Sequence, residues 1–318
     1  MVKIAVVGFG IAGAILSKQC LSEGFEVHVF DDYNSETPSK VAAGILNPLS
    51  VSRKKPIWRA KEFAERAWRF YEKWDNDFMH RDLMRMDVLE TREQNDWAGS
   101  LAAEQSFIRW NESNDQLLIN YTGWIETEQL IHSFASDIKY FNATKINDLK
   151  ELCLNFDKVI LATGKIEHNQ LGASYRSDIF RPVLGDILEV ETAADYAFKH
   201  LDGLFIIPKS NFKAILGSTY IHDFDRVYPD PARAELLLDK AARQGLKITK
   251  VLRHRTAVRP AVYDRMPIVG HIRDNLYAFA GMGSRGLFHA PLAAEMLIQS
   301  WEGKEIDSLL NIQRAKLK

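Results

Sequence analysis

Gly8-Phe9-Gly10-Ile11-Ala12-Gly13 limits what this chain can fold into more than any other segment. This GxGxxG motif follows Val2 to Val7, a β-branched and nearly continuous apolar run. Such a run suits a strand buried on both faces. Residues 11–22 (IAGAILSKQCLS) then suit a helix stopped by Gly24, and Phe25 to Phe30 reads as a second strand with Asp31-Asp32 at its end. Each part has a task in holding a dinucleotide. Gly8 permits the tight turn, Gly10 lets the backbone approach a pyrophosphate, and Gly13 lets the helix pack close to the strand. Ile11 and Ala12 open a helix whose first N–H groups and positive dipole end face the phosphates. An acid about 20 residues on accepts hydrogen bonds from ribose hydroxyls. Asp31, directly after the strand, is the first choice for it and Asp32 the alternative. The motif alone does not choose between NAD and FAD, but the lack of a basic residue at the strand end argues against NADP.

Composition excludes several classes. At 318 residues, 46% hydrophobic and 26% charged, the chain reads as a soluble globular protein of two domains, neither disordered nor fibrous nor membrane-embedded. Its formal net charge of −1 supplies no global attraction for nucleic acid. Lys3 and the run Ile4 to Leu16 imitate a signal peptide, yet the run is shorter than the roughly 20 residues a membrane span needs, and its glycines obey the fingerprint. Two cysteines, Cys20 and Cys153, make no disulfide framework. A cytoplasmic protein with no membrane partner is the expectation. No HxxxH or CxxC spacing points to a metal.

Beyond the fingerprint, 34–56 is turn-rich (Asn34, Ser35, Pro38, Gly44, Pro48, Pro56), and Pro56 suits the first turn of a helix. Over 57–75, Phe63, Ala67, Phe70, Tyr71 and Trp74 recur at helical spacing as a core stripe. Residues 157–164 read as another buried strand ending in a glycine turn. From Arg181 to Arg259 short strand-like runs (183–190, 204–207, 213–220, 247–255) are broken by Gly185, Asp202-Gly203 and Pro229/Pro231. They predict an antiparallel sheet, interrupted by a helix over 231–244. Residues 275–280 form a last strand, and Gly281-Met282-Gly283-Ser284-Arg285-Gly286 leads from it into a helix.

Taken together, these residues resemble the D-amino-acid-oxidase-like FAD oxidoreductases, which include glycine and sarcosine oxidases. The resemblance runs from residue 4 to about residue 298. It rests on the fingerprint, on Ala42-Ala43-Gly44-Ile45-Leu46-Asn47-Pro48, on Leu161-Ala162-Thr163-Gly164, and on Val258-Arg259-Pro260…Asp264…Pro267…Gly270 with the 281–287 stretch. It implies non-covalent FAD, with Ala42, Ala43 and Gly44 along the flavin and Ala162, Thr163 and Gly164 passing the pyrophosphate. Gly281, Gly283, Ser284, Arg285, Gly286 and Leu287 would face the flavin, with backbone N–H groups aimed at its carbonyl edge. It further implies an α/β fold, α+β overall. A Rossmann-like FAD-binding domain with a parallel sheet (1–50, 130–180 and 255–318) interleaves with an antiparallel-sheet substrate domain (51–129 and 181–254). The active site is expected between the two.

The implied activity is oxidation of the C–N bond of a small amine or amino acid, with oxygen reoxidising the flavin. Arg259 matches the family position holding a substrate carboxylate, a task suited to a planar, permanently charged side chain. Arg285 holds a second oxygen or the flavin, or simply braces its loop. Tyr220 donates to the substrate or is a packing residue. His289, nearest the flavin turn, reads as structural, and neither cysteine falls where a covalent flavin link is expected. The last stretch, with Ala290-Pro291-Leu292-Ala293-Ala294-Glu295 behind it, looks most similar to the oxidase half of the bifunctional enzymes that make 5-methylaminomethyl-2-thiouridine in tRNA. Those enzymes remove a carboxymethyl group from a secondary amine on the wobble base. No methyltransferase half accompanies the resemblance in this sequence, which is consistent with a kept fold and a changed substrate. A tRNA substrate is therefore the second expectation, supported by the acid-free run holding Lys247, Lys250, Arg253, His254, Arg255 and Arg259 and by Arg53-Lys54-Lys55. A non-catalytic FAD-binding protein is the third.

Overall fold

A computed structural model of the chain describes residues 1–32, 37–50, 53, 55–74, 79–82, 84–87, 92–111, 113, 116–146, 148–201 and 203–317. Asn34, Ser35, Lys54 and Asp202, named above, lie outside the described residues. The chain divides into two compact units. One combines Met1–Lys40, Thr127–Val183 and Val258–Lys318, and the other Val41–Glu126 and Leu184–Ala257.

The first unit is built on a six-stranded sheet in the order Tyr140–Ala143, Glu26–Asp31, Lys3–Val7, Lys158–Leu161, Leu276–Ala280, Ile268–Arg273. The first five strands run parallel and the last is antiparallel. Central position explains the sequence of Lys3–Val7, in which Ile4, Ala5 and Val6 are fully buried because helices cover both faces of a parallel sheet. Helix Ile11–Ser22 follows the first strand and packs beside helix Gly286–Ser300. Gly13 and Ala14 have no exposed side of their own, and the Gln19 amide donates to the Pro291 carbonyl at 2.8 Å. Helix Thr127–Ser136 packs on Ile11–Ser22, where the nearly buried Lys18 ammonium pairs with Asp137 and lies 5.2 Å from the Phe134 ring. The chain end returns to the sheet, with Ile312 and Ala315 of the short Ile312–Ala315 turn buried in the same apolar cluster as Val7, Leu161 and Ala280.

The second unit holds an eight-stranded sheet in the order Ile248–Arg259, Val183–Thr192, Lys213–Gly217, Leu204–Lys209, Lys199–Leu201, Met84–Asp87, Gln116–Ile119, Ile108–Asn111. Val183–Thr192, Lys213–Gly217, Leu204–Lys209 and Lys199–Leu201 pair antiparallel in succession, as do Met84–Asp87, Gln116–Ile119 and Ile108–Asn111, while Lys199–Leu201 runs parallel to Met84–Asp87. Helix Pro231–Arg243 packs on one face through Leu237 and Ala241, and helices Ala60–Lys73 and Arg92–Glu104 belong to the same unit. A three-stranded sheet pairs Gly123–Ile125 with Ile45–Leu46 and Met79–Arg81.

Three local expectations need correction. Pro56 lies in the two-residue strand Lys55–Pro56, and the helix starts only at Ala60 after Arg59 in a left-handed conformation. Gly185 does not break its strand but sits buried within Val183–Thr192, because this strand pairs on both sides and needs no turn there. The run 213–220 stops pairing as a strand at Gly217, and the last strand extends past 255 to Arg259.

Candidate cofactor and substrate site

The motif loops of the first unit gather at one place for a simple topological reason. Strands Lys3–Val7, Glu26–Asp31, Lys158–Leu161 and Leu276–Ala280 are parallel neighbours, so the loops after their carboxyl ends leave the same edge of the sheet. Ligands of open α/β sheets bind at that edge. Gly8 makes the first turn with φ +97°, and a Cβ there would stand 2.7 Å from the Ala162 carbonyl oxygen. The Ala162 N–H in turn donates to the Val7 carbonyl at 2.8 Å. Gly13 brings its helix so close that an added Cβ would stand 2.0 Å from the Gly8 carbonyl oxygen. Gly164 accepts from the Gly281 N–H at 2.8 Å, and the Gly283 N–H donates to the Pro260 carbonyl at 3.2 Å. Gly286 lies against Ile11. The three glycine-bearing loops after Val7, Leu161 and Ala280 thus form one continuous surface.

Two helices begin on it. Ile11–Ser22 starts after Gly10 and Gly286–Ser300 after Arg285, and neither of these two N-cap residues caps its helix through its own side chain. Both bring the positive end of a helix dipole to this surface. Ser39, which the sequence reading did not single out, faces the first of these helices, its hydroxyl accepting from the Ile11 N–H at 2.9 Å. It is 28 residues away in sequence from that partner, and no spacing rule links the two. Asp31 closes its strand, with one carboxylate oxygen accepting from the Phe9 N–H at 2.6 Å, while Asp32 is exposed. Ile11, Ala12, Ala162 and Leu287 are buried walls, whereas Thr163 and Ser284 are exposed.

Arg285 caps the second helix from a partly buried position, and Arg259 is the partly buried end of strand Ile248–Arg259. His289 sits one turn into the Gly286–Ser300 helix, and burial together with the Arg285 charge pulls its imidazole down to about 3. It is neutral at any physiological pH, so Arg285 is the charged group of that turn. Ala42, Ala43 and Gly44 fall in the second unit. There a Cβ on Gly44 would stand 1.8 Å from the Ile125 carbonyl oxygen, so this glycine is required by its own strand neighbour.

Tyr220 also belongs to the second unit and is 57% exposed. Its backbone is held firmly, because Leu184 and Ile221 exchange two 2.9 Å hydrogen bonds and the Thr219 hydroxyl donates to Asp186 at 2.6 Å. Asp186 is fully buried and also receives the Arg233 Nε–H at 2.8 Å, the Thr256 hydroxyl at 2.5 Å and a 2.9 Å contact from His254 Nε2. Burial alone pushes its carboxyl up, but these hydrogen bonds together hold it below the ordinary carboxylate value. Nothing in the spacing of residues 186, 219, 233, 254 and 256 announces this cluster. Among the described residues no group of His, Cys, Asp and Glu could hold a metal ion, and no helix is long and apolar enough to cross a membrane.

Sheet order, glycine turns, the helix starts at their carboxyl edge and the acid after the second strand define a dinucleotide-binding protein. The residues present fit FAD: a Cβ at Gly8 or Gly13 would collide with the backbone lining the cradle, and two helix N-termini meet there. Residues 3–300 match the model of the DAO family, FAD dependent oxidoreductase, and the chain belongs to that family. It is similar to the tRNA 5-methylaminomethyl-2-thiouridine biosynthesis bifunctional protein MnmC of Maricaulis maris, with 26% identity over 94% of this chain and 52% of that protein. The MnmC of Marinobacter nauticus is 25% identical over 92% of this chain and 54% of its own length. The chain thus spans about half the length of the curated relatives it matches. Among solved structures it is similar in fold to glycine oxidase from Geobacillus kaustophilus (TM-score 0.76, 16% identity, 100% of this chain and 99% of that one). Iminodiacetate oxidase from Chelativorans sp. BNC1 is equally similar (TM-score 0.76, 17% identity, 98% of each).

Proposed function

We propose that this protein is an FAD-dependent oxidase of the C–N bond of a small amine or amino acid that carries a carboxylate, with oxygen as the electron acceptor. The observation that carries this reading is the joining of the fingerprint, the 162–164 turn and the 281–286 loop into one cradle at the carboxyl edge of a parallel sheet. FAD, when bound, supplies the acceptor for the hydride. What the chain contributes is binding, orientation and charge. In this reading Gly8, Gly10 and Gly13 with the first helix hold the pyrophosphate, Asp31 holds the ribose, and the Gly281–Leu287 loop with its helix dipole favours negative charge on the reduced ring. Arg259 clamps the substrate carboxylate, Arg285 supplies the second positive charge, and Tyr220 donates a hydrogen bond to the substrate. Non-covalent FAD belongs to this reading, in keeping with the thiols of Cys20 and Cys153, both pushed up by burial and away from a reactive thiolate. The two free cysteines also suit a reducing, cytoplasmic setting.

A second reading is favoured by two observations. The matched relatives are named for tRNA modification, and strand Ile248–Arg259 exposes Lys250 and Arg253 at the end of its sheet, with exposed Lys247 just before it. On this reading the substrate is a carboxymethylated secondary amine on a tRNA wobble uridine, bound in a salt-dependent way. Anaerobic bleaching of the yellow protein tests both. A panel of free amino acids and N-alkyl glycines is compared with tRNA carrying carboxymethylaminomethyl-uridine. Bleaching by a free amine, with peroxide formed on readmitting air, supports the first reading. Bleaching by tRNA alone replaces it with the second, and a protein that bleaches with neither and keeps its flavin oxidised refutes both.

A further inference from the structure

We infer that Arg314, close to the chain end, is a positioning residue that holds the Pro260 and Gly283 loops in register for cofactor and substrate. The inference rests on the reading of those loops as the flavin and carboxylate site. Arg314 lies in the Ile312–Ala315 turn with its side chain 13% exposed. Its guanidinium donates through Nε to Asp264 Oδ2 at 2.8 Å and through Nη2 to Asp264 Oδ1 at 3.2 Å and the Met266 carbonyl at 2.9 Å. Nη1 donates backwards to the carbonyls of Leu310 at 2.9 Å and Asn311 at 3.2 Å. The planar fork thus joins two backbone segments with fixed geometry, which a lysine cannot copy.

The segment it grips needs an external hold. The 262–266 turn puts Arg265, a non-glycine, at φ +64°, and its own closure is an Arg265 N–H to Val262 carbonyl bond of 2.9 Å with the Met266 N–H on Asp264 at 3.0 Å. A left-handed non-glycine residue persists where surrounding contacts over-determine it. The turn is keyed directly into the candidate site. Ala261 bridges Met282, the Gly283 N–H donates to the Pro260 carbonyl, and a Cβ on Gly281 would stand 2.4 Å from Val262 Cγ2. On the other side the Arg181 N–H donates to the Ala261 carbonyl at 2.8 Å and the Tyr263 N–H to Ile179 at 3.0 Å.

Docking of the chain end does not depend on the guanidinium. Ile312 is fully buried and Ala315 1% exposed in the core, and the Val269 N–H donates to the Leu310 carbonyl at 2.9 Å. Arg314 therefore sits on a base already fixed to the sheet, and its specific contribution is the reach to Asp264. Without that reach the turn relaxes, the Pro260 carbonyl loses its fixed distance to Gly283, and Arg259, next to Pro260, loses its anchor.

The test compares Arg314→Gln and Arg314→Lys with the parent by amide hydrogen exchange of the apoprotein and by FAD affinity. Loss of a charge-assisted bond is expected to speed exchange over 258–267 and 278–287 about tenfold, with the glutamine variant worse than the lysine variant. Exchange over 3–7 and 158–161 stays at the parent rate, and FAD affinity falls by about the same factor. Exchange that accelerates equally in all these segments assigns Arg314 a global structural role and overturns the inference. Acceleration at 262–266 that stops short of 278–287, with FAD affinity unchanged, also overturns it. Neither readout requires a substrate, so a failed oxidase reading leaves this result standing, and a failed latch leaves the bleaching assay untouched.

Discussion

Replacing Gly10 and Gly13 by alanine, one at a time, separates what the fingerprint does for the ligand from what it does for the fold. At Gly13 the new methyl would stand 2.0 Å from the Gly8 carbonyl oxygen and 3.0 Å from its carbon, both backbone atoms. Ordinary contact is about 3.5–4.0 Å, so helix Ile11–Ser22 must move off the turn by roughly an ångström or more. Overpacking of this kind costs about 1–3 kcal/mol or more, and the apoprotein is destabilised whether or not FAD is present. At Gly10 the backbone is ordinary, with φ −74° and ψ −169°, and the new methyl meets the Ser39 side chain, its hydroxyl at 2.7 Å and its Cβ at an ordinary 3.5 Å. That oxygen ends a short rotatable side chain and can swing away, giving up its bond from the Ile11 N–H. Alanine also stiffens the unfolded chain, a gain of about 0.4–1 kcal/mol that offsets the lost bond. Apoprotein stability of Gly10→Ala is thus expected within about 1 kcal/mol of the parent. Its methyl projects where a pyrophosphate must approach the backbone, and losing one charge-assisted N–H bond costs about 1.5–3 kcal/mol, roughly a ten- to hundredfold fall in affinity. Urea unfolding of the apoproteins and FAD titration by fluorescence read the two effects separately. Parent-like FAD affinity in Gly10→Ala would refute close backbone approach at this residue. A Gly13→Ala apoprotein as stable as the parent would refute the packing argument.

Arg259→Ala should raise KM strongly for a carboxylated amine while FAD stays bound, and unchanged steady-state kinetics would remove Arg259 from the site. Asp186→Ala removes the buried acceptor of Thr219, Thr256 and the Arg233 Nε–H, leaving Arg233 its 3.4 Å pair with Asp230, and should cost about 3–5 kcal/mol in urea unfolding, far more than an exposed pair. Because the Asp186 carboxyl is held below its unfolded value, its contribution is complete above the unfolded pKa near 4 and disappears as pH falls through the folded value. The stability gap between parent and Asp186→Ala should therefore be constant around neutrality and narrow only in acid. Arg285→Met should raise the His289 pKa from about 3 only part of the way to an ordinary imidazole, because burial is the larger cause of its depression. An NMR titration that returns it fully to that value would show that the charge, not burial, keeps His289 neutral.

The first unit is legible in sequence because its information is local or lies in order along the chain. Val2 to Val7, the three glycines, the helix and Asp31 are neighbours in the one stretch 2–31, and the structure returns them as strand, turn, helix, strand and acid. The 162–164 and 281–286 loops also announce themselves by glycines after apolar runs, and the parallel sheet then joins them without further instruction, since all leave its carboxyl edge. What the sequence hides is contact between residues that no period relates. Ser39 meets Ile11 across 28 positions, Asp186 draws partners from up to 70 positions away, and Arg314 reaches back 50 to Asp264. Each is a single polar side chain whose meaning depends on where the chain returns, and a charged residue in a polar stretch reads as solvated surface until that return is known. The turn errors have a related cause. Pro56 and Gly185 carry strong local preferences, yet pairing decides both: Pro56 is tolerated in the short two-strand ribbon Leu49–Ser50/Lys55–Pro56, and Gly185 is absorbed by a strand flanked on both sides. Local chemistry thus identifies the edge at which a dinucleotide can be held, whereas the polar anchors of the surrounding loops, Asp186 for the Tyr220 segment and Arg314 for the Pro260 turn, are properties of the completed fold.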